Sequence, residues 1–159
     1  MTLIDLHQLL LADLCADLPV AVRPQRLVGV LRRHFGCGAV ALLRLEADGE
    51  HLRPVAVDGL SSDALGRRFA VREHPRLAAI LQRREVTRFH HDSGLPDPYD
   101  GLVVERAGEP LAVHDCMGVP LEVEGLRWGV LTLDALAVGT FGAQARQDLR
   151  LLLPLLEAA

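Results

Sequence analysis

The spacing of apolar residues predicts two helices in the first part of the chain. Over residues 3–18, leucines recur at intervals of three or four, which is typical of a helix with one buried face. Leu27, Leu31 and Phe35 form the apolar stripe of a second helix. Gly36 follows this stripe and suits the position after a last turn, so we expect the helix to stop there.

The middle of the chain changes to the character of β-strands. Residues 39–46 and 51–60 flank an Asp-Gly turn, and together they predict a β-hairpin. Helical spacing returns over residues 74–85, and residues 86–89 are compatible with a short strand. Helices that bracket antiparallel hairpins predict an α+β fold.

A second hairpin is predicted from residues 119–123 and 126–134, joined by a Glu-Gly turn. With that turn, Asp134 lies opposite Asp115, which precedes Cys116. Strict alternation would then send the Asp134 and Cys116 side chains to opposite faces of the sheet. A site shared by these two residues therefore requires a bend or a bulge in the strands.

The last segment, residues 141–159, has the composition of a helix, and Pro154 is expected to kink it. Its leucines nearly surround the helix, so one face can cover the sheet while the rest would remain in water in a monomer. We therefore expect a homodimer in which the two terminal helices pair between copies. The apolar run continues to the last residue, and from this we expect the chain to be one domain of a longer protein.

Composition narrows the classes of function. The chain has 159 residues, half of them hydrophobic, which is enough for one compact domain with its own core. The net charge is −4 and the arginines are scattered, so direct contact with nucleic acid is not expected. The apolar stretches are too short and too interrupted to cross a membrane, and no signal peptide follows Met1, so we expect a cytoplasmic protein. Three cysteines without a Cys-x-x-Cys pair argue against a disulfide framework.

The segment LPDPYDGL carries the first candidate chemistry. Pro96 and Pro98 restrict the backbone around Asp97, and Asp100 follows two residues later. Proline, aspartate and glycine also form ordinary surface turns, and that alternative stays open on this segment alone. The stiffened backbone favours a second interpretation, in which the two carboxylates bind a metal ion.

The order of strands, turns and bracketing helices resembles a GAF domain, a module that senses small molecules. Four segments sharpen the resemblance: DGLSSDALGRRFAVREHPRL, RFHHDSGLPDPYDGL, VHDCMGVPL and GVLTLD. They look like the regulatory domain of NorR-type activators, which are nitric-oxide-responsive bacterial transcription regulators. The resemblance implies a single regulatory GAF domain over residues 1–159 that controls an attached AAA+ domain. The AAA+ and DNA-binding domains would lie outside this chain, because neither a phosphate-binding loop nor a helix-turn-helix is visible in it.

The resemblance also implies a mononuclear, non-haem ferrous iron that binds nitric oxide. The ligands that it implies are Asp97, Asp100, His114, Cys116 and Asp134. An arginine of the family that is also implicated at the iron corresponds to Arg76. A protonated guanidinium has no lone pair to donate, so we interpret Arg76 as a charge-balancing partner of the ligands. His114 is interpreted either as a ligand or as a residue that orients one.

A further arginine of the family is linked to restraint of the output domain, and it falls at Gln82 in this chain. Arg83 lies beside it and is the candidate for that contact. The neighbouring His90, His91 and Asp92 are expected to lie on a solvated loop, because adjacent side chains of an extended segment diverge.

The residue types limit the choice of metal. Carboxylate oxygens with one thiolate sulfur fit ferrous iron, while zinc and manganese remain possible on ligand type. Three carboxylates and a thiolate carry more negative charge than a divalent ion removes, so a nearby arginine is expected.

Two other functions remain open from sequence. Some GAF domains are methionine sulfoxide reductases that use clustered cysteines, but Cys15 and Cys37 fall in different predicted elements and are interpreted as packing residues. A metal-free dimerisation or small-molecule-binding module is the other alternative. We expect the chain not to be an enzyme.

Overall fold

The fold is built on one antiparallel sheet. The computed structural model describes residues 1–104 and 115–159, and in these residues six strands pair into the sheet. The strands are β1 (Ala39–Leu45), β2 (His51–Asp58), β3 (Phe69–Ala70), β4 (Thr87–Phe89), β5 (Asp115–Val123) and β6 (Leu126–Ala135). Their order across the sheet is β3-β2-β1-β6-β5-β4, which confirms the predicted α+β fold with a central antiparallel sheet.

Helices cover the two faces of the sheet unequally. The α-helices of the described residues are α1 (Leu3–Cys15), α2 (Val22–Phe35), α3 (Pro75–Gln82) and α4 (Ala143–Ala158), and two short 3-10 helices lie between β2 and α3. Helices α2 and α4 contact one face of the sheet, here called the helix face, and α1 packs against both of these helices. The opposite face, here called the pocket face, is covered by α3 and by the loops around it.

The two amino-terminal helices follow from local sequence. Thr2 caps α1 through a reciprocal pair of hydrogen bonds, in which each of Thr2 and Asp5 accepts from the other's backbone N–H. The helix ends at Cys15, earlier than the predicted position 18, and Cys15 is exposed at that end. Its interpretation as a packing residue was therefore wrong. The predicted stop of α2 is confirmed, because Gly36 has a φ of 58° and forms a left-handed cap.

The last helix shares its leucines between the core and the surface. Leu149, Leu152 and Leu156 are buried against the helix face, as one side of an amphipathic helix requires. Leu151 stays 49% exposed. Pro154 lies inside the helix, which continues past it to Ala158. No helix in residues 1–104 or 115–159 is long and apolar enough to cross a membrane.

The second hairpin contains the irregularity that the sequence required. Its turn is formed by Glu124 and Gly125, both with positive φ, as predicted. The register shifts by one residue between Leu121 and Glu122, which is a β-bulge. Beyond the bulge Cys116 pairs directly with Asp134, so their side chains share a face.

A close approach between α3 and β5 shapes the pocket face. A Cβ atom on Gly118 would lie 2.3 Å from Cδ1 of Ile80, so a larger residue there would displace the Ile80 side chain from its place against the strand. Gly118 stands two residues after Cys116 and therefore on the same face of β5. The helix thus forms a wall directly beside the cysteine.

Candidate metal centre

Three acidic side chains meet on the pocket face. Asp97 comes from the loop before residue 104, Cys116 from β5 and Asp134 from β6. One potential ligand atom from each lies within 4.8 Å of the other two. All three residues are buried. Two carboxylates and a thiol at this separation form a group that can hold one metal ion.

The sheet fixes two of these residues, and the loop supplies the third. Cys116 and Asp134 are direct partners across β5 and β6, so the bulge after Leu121 places them together. Asp97 is held in its own turn, where its Oδ1 accepts a hydrogen bond of 2.8 Å from the backbone N–H of Tyr99. The prolines on both sides of Asp97 restrict the same turn.

Tyr99 anchors this loop to the sheet and was missed by the sequence analysis. Its ring is 2% exposed, and its hydroxyl lies 2.9 Å from Oγ1 of Thr132 on β6. Phe69 packs edge-on against the ring, with centroids 5.8 Å apart. The position of Tyr99 between the two aspartates of the DPYD segment was the signal that could have identified it.

Contacts within the cluster are close. The Cys116 thiol lies 3.5 Å from Oδ2 of Asp97 and forms a short contact with Oδ1 of Asp134. The other oxygen of Asp134 is buried and has no hydrogen-bond partner among the described residues. A buried carboxylate oxygen without a donor is costly unless a cation or a proton satisfies it.

Arg76 occupies the position of a counter-charge. It is 4% exposed at the start of α3, and its Nε donates a hydrogen bond of 2.9 Å to the carbonyl of Leu95. Its Nη1 lies 3.6 Å from Oδ2 of Asp97. The guanidinium also lies over the ring of Phe89, 5.4 Å from the centroid. These contacts hold Arg76 against the cluster.

Burial makes the cluster hard to ionise. Burial, followed by the charges of Asp134 and Asp97, raises the pKa of the Cys116 thiol well above its usual range. Burial and then the charge of Asp97 raise the pKa of Asp134 well above that of an ordinary aspartate. Arg76 opposes both shifts but does not cancel them. Without a metal ion these two groups therefore hold protons that a metal would displace.

The other predicted site residues lie differently. Asp100 is exposed and does not belong to the group formed by Asp97, Cys116 and Asp134, so its role as a ligand stays a prediction. His114 lies outside the described residues. Arg83 is exposed at the end of α3, and its role in a contact with an output domain stays a prediction.

The loop after β4 has the solvated character that the sequence predicted. His90, His91 and Asp92 are all exposed, and none of them belongs to a metal-compatible group in the described part of the chain. The histidines are therefore not brought to the acidic cluster.

A second metal-compatible group lies on the surface, formed by Glu46, Asp48 and His51. Arginines already engage it. Arg53 lies 3.0 Å from Glu46, and Arg68 lies 2.6 Å from Glu46 and 3.1 Å from Asp48. These ion pairs account for the cluster without a metal ion.

The room around the buried cluster is small. The pocket contains about 10 Å³ of free space, which is close to the volume that one water molecule needs. Its walls are largely apolar and are formed by Leu77, Ile80, Phe89, Pro98, Tyr99 and Met117, with Thr132 beside them. A pocket of this size admits a small molecule and excludes a large one.

The residues present fit a divalent metal ion. In their ionised forms Asp97, Cys116 and Asp134 carry three negative charges, which a divalent ion and the single positive charge of Arg76 would neutralise. The unpartnered oxygen of Asp134 is the atom that gains most from such an ion.

Comparison with known proteins identifies the family. The sequence pattern of the GAF domain matches residues 24–159. The chain belongs to the GAF domain family. Solved GAF domains share the fold: that of a phosphoenolpyruvate-protein phosphotransferase from Acinetobacter superposes with a TM-score of 0.76 at 16% identity, covering 99% of this chain and 92% of its own.

Curated relatives of this GAF domain are transcription regulators. It is 71% identical over 150 residues to the nitric oxide reductase transcription regulator NorR2 of Cupriavidus necator, covering 94% of this chain and 28% of that protein. It is 46% identical to the anaerobic nitric oxide reductase transcription regulator NorR of Klebsiella pneumoniae, covering 92% of this chain and 28% of that protein. The predicted resemblance to the NorR regulatory domain is confirmed, and the chain spans less than a third of the length of these relatives.

These relatives are named as transcription regulators, in agreement with the expectation that the GAF domain is not an enzyme. A free methionine-R-sulfoxide reductase from Neisseria meningitidis also shares the fold, with a TM-score of 0.71, 18% identity, and coverage of 96% of this chain and 83% of its own. That similarity concerns the fold alone. Exposed Cys15 ends α1 and buried Cys37 precedes β1, whereas Cys116 lies in the acidic cluster.

Proposed function

We propose that this GAF domain senses nitric oxide through a mononuclear, non-haem ferrous iron and thereby controls an attached AAA+ transcription activator. The observation that carries the proposal is the buried group of Asp97, Cys116 and Asp134 with Arg76 against it. The relatives at 70 and 71% identity are named nitric oxide reductase transcription regulators, and from these names we take nitric oxide as the sensed molecule. A ferrous ion held by these residues would supply partly filled d orbitals to which nitric oxide binds, whereas the filled d shell of zinc would not.

Each residue of the cluster has a proposed part in binding. Cys116 and Asp134 hold the ion from the rigid sheet, and Asp97 reaches it from the proline-bounded turn. Asp100 and His114 are proposed as further ligands that complete the set. Arg76 balances the charge of the carboxylates and orients Asp97 without donating to the metal.

The apolar wall supports a gaseous signal. The apolar side chains of Leu77, Ile80 and Phe89 line the space beside Cys116, which has room for little more than one water-sized molecule. A small neutral molecule enters such a space without paying a desolvation cost for charge. Nitric oxide has these properties.

The setting of the domain is part of the same proposal. Residues 1–159 form a single regulatory domain, and the AAA+ and DNA-binding work belongs to other parts of a longer, cytoplasmic regulator. Iron or nitric oxide at the pocket changes how the domain restrains its AAA+ partner, with Arg83 as a candidate contact. Two copies pair through α1 and α4, which carry the exposed apolar side chains of Ile4, Leu11 and Leu151.

Anaerobic reconstitution tests the proposal. The domain should bind about one ferrous ion per chain, and nitric oxide added to the loaded protein should give a half-integer-spin paramagnetic signal. Cys116→Ser should weaken or alter that signal, because the thiolate is replaced by a poorer donor. Asp100→Asn should reduce iron binding, whereas Asp92→Asn on the exposed loop should not.

The same experiment separates the alternatives. Equal damage from Asp92→Asn and Asp100→Asn would show that the wrong carboxylates have been chosen. A metal-free dimerisation module would take up no iron under any of these conditions. A reductase would consume methionine sulfoxide in the presence of a thiol, which we expect this domain not to do.

A further inference from the structure

Asp115 lies next to the metal-site cysteine but points to the other side of the sheet. It begins β5, and its neighbour Cys116 faces the pocket, so Asp115 faces the helices. The residue is fully buried, with 0% of its surface exposed. The proposed metal centre does not include Asp115, so other contacts must offset the desolvation cost of burying its carboxylate.

One oxygen of Asp115 joins three separate segments. Its Oδ2 lies 2.9 Å from Nη2 of Arg88 on β4 and accepts hydrogen bonds from the backbone N–H groups of Gly139, at 2.7 Å, and Phe141, at 3.4 Å. The guanidinium supplies the counter-charge, and the two amides come from the connection between β6 and α4. Asp115 therefore ties this connection to the strand that carries Cys116.

These hydrogen bonds to Asp115 are important because they fix the segment from which α4 begins. Gly142 is the N-cap of α4, and no side chain caps that end among the described residues. Phe141, with 0% exposure, is buried in the core of the helix face and fixes the chain just before the helix. Gly139 has a φ of 81°, which turns the backbone so that its N–H meets Asp115.

We propose that Asp115 is a positioning residue that couples the metal pocket to α4, so that a displacement of Cys116 changes the position of the start of that helix. This inference rests on the proposed function, because it needs an ion at Cys116. The physical link is short. One peptide unit of β5 separates the thiol on one face from the carboxylate on the other, and the carboxylate reaches α4 through direct hydrogen bonds.

The pairing of β5 with β6 determines which movement would transmit the coupling. Cys116 and Asp115 pair with Asp134 and Ala135 on β6, and the connection held by Asp115 follows directly after that strand. A shift or rotation of β5 against β6 therefore changes the separation between the carboxylate and the amides of Gly139 and Phe141. Packed interfaces respond to such shifts by changing between discrete arrangements.

Hydrogen exchange of the metal-free and metal-loaded protein tests this coupling. Cobalt(II) is the probe, because its absorption bands report thiolate ligation and so measure loading independently. Loading should slow exchange of the amides in residues 139–146 by about fivefold or more, the lower range of allosteric coupling. In Asp115→Ala, which removes every acceptor at this position, the cobalt bands should remain while the change in exchange disappears.

Two further variants sharpen the result. Asp115→Asn keeps the shape and one oxygen acceptor but loses the charge facing Arg88, so it should show a reduced change, and it serves if the alanine variant does not fold. Asp148→Asn is the matched control. Asp148 lies on α4 and contacts His34 of α2 at 3.1 Å, so this substitution weakens a contact of α4 without touching β5. This control should keep the full metal-dependent change.

The outcomes are distinct. Cobalt loading without a change at residues 139–146 in the unmodified domain would overturn the coupling, as would a full change in folded Asp115 variants. Loss of the change in Asp148→Asn would also overturn it, because any loosening of α4 would then have the same effect. Absence of the cobalt–thiolate bands in the unmodified domain would instead refute the metal site of the proposed function.

Discussion

Replacing Asp134 by asparagine should stabilise the metal-free domain while removing its metal site. Asp134 is 3% exposed, and burial followed by the charge of Asp97 raises its pKa well above the value of 3.8 found for an ordinary aspartate. Asparagine has nearly the same shape and can still meet the Cys116 thiol. It never ionises, so it avoids the conflict with Asp97 that the carboxylate creates.

The size of the effect follows from proton linkage. Above about pH 4 the unfolded chain has lost the Asp134 proton while the folded chain keeps it, so folding takes up a proton and wild-type stability falls as pH rises. The variant lacks this loss, so its advantage in unfolding free energy should grow by up to about 1.4 kcal/mol per pH unit until the folded pKa is reached. Over two pH units this is at most about 3 kcal/mol, or about 6 to 12 °C in Tm for a domain of this size.

Urea unfolding at several pH values between about 4.5 and 6.5, with a chelator present, measures this difference. Other groups titrate in the same range or below it. The pKa of Asp13 is lowered chiefly by its hydrogen bond with Arg26, but this pair is common to both proteins and cancels from the difference. Asp92→Asn, on the exposed loop, should show no pH-dependent gain. A difference between the Asp134 variant and wild type that stays constant with pH would refute the reasoning.

Three more predictions concern metal binding and assembly. Arg76→Lys should keep part of the iron affinity because the positive charge survives, whereas Arg76→Met should lose more, since leaving a buried carboxylate without a counter-charge costs on the order of several kcal/mol or makes it take up a proton. Titration with ferrous iron compares the two variants. Equal, complete loss of iron binding in both would indicate a purely geometric role for the guanidinium. Metal affinity should rise with pH across the neutral range, because Cys116 and Asp134, whose pKa values are raised, must release their protons when a metal binds. Proton release on metal addition, measured in weakly buffered solution, checks this. A metal that binds elsewhere should release no protons. Leu151→Glu should weaken a dimer formed through α4, and light scattering over a range of protein concentrations would measure this. If the unmodified domain were a monomer at high concentration, the proposed dimer would be wrong.

The elements of the fold were largely predictable, because period and turn chemistry are local properties. The two hairpins, their Asp-Gly and Glu-Gly turns and the glycine stop after Phe35 are all present. The sequence also showed that Cys116 and Asp134 share a face only if a bulge intervenes, and the shift after Leu121 is that bulge. Its position was not predictable, since it depends on how β5 and β6 pack against the rest of the sheet. The two-residue strand β3 was missed for the same reason.

The site was predictable in part, and largely through family resemblance. The resemblance pointed to Asp97, Cys116 and Asp134, and the structure brings these three together. Spacing alone could not separate Asp97 from Asp100, because a proline-rich turn can bury one carboxylate and expose the other. Tyr99 was missed because its contact with Thr132 joins residues far apart in the chain.

The two buried aspartates at the ends of β5 and β6 show how the same residue type can serve stability or binding. Through one oxygen, Asp115 meets a guanidinium and two backbone amides, which supply a counter-charge and three donors, although its other oxygen has no partner among the described residues. Asp134 meets a thiol and a second carboxyl, and its other oxygen has no donor among the described residues. A fold is often more stable when apolar residues of similar volume replace such a buried charged group. An acidic group buried without a counter-charge weakens the fold unless a cation reaches it. An ion that relieved this conflict at Asp134 would also lie against Cys116, next to the residue that hydrogen-bonds the segment before α4.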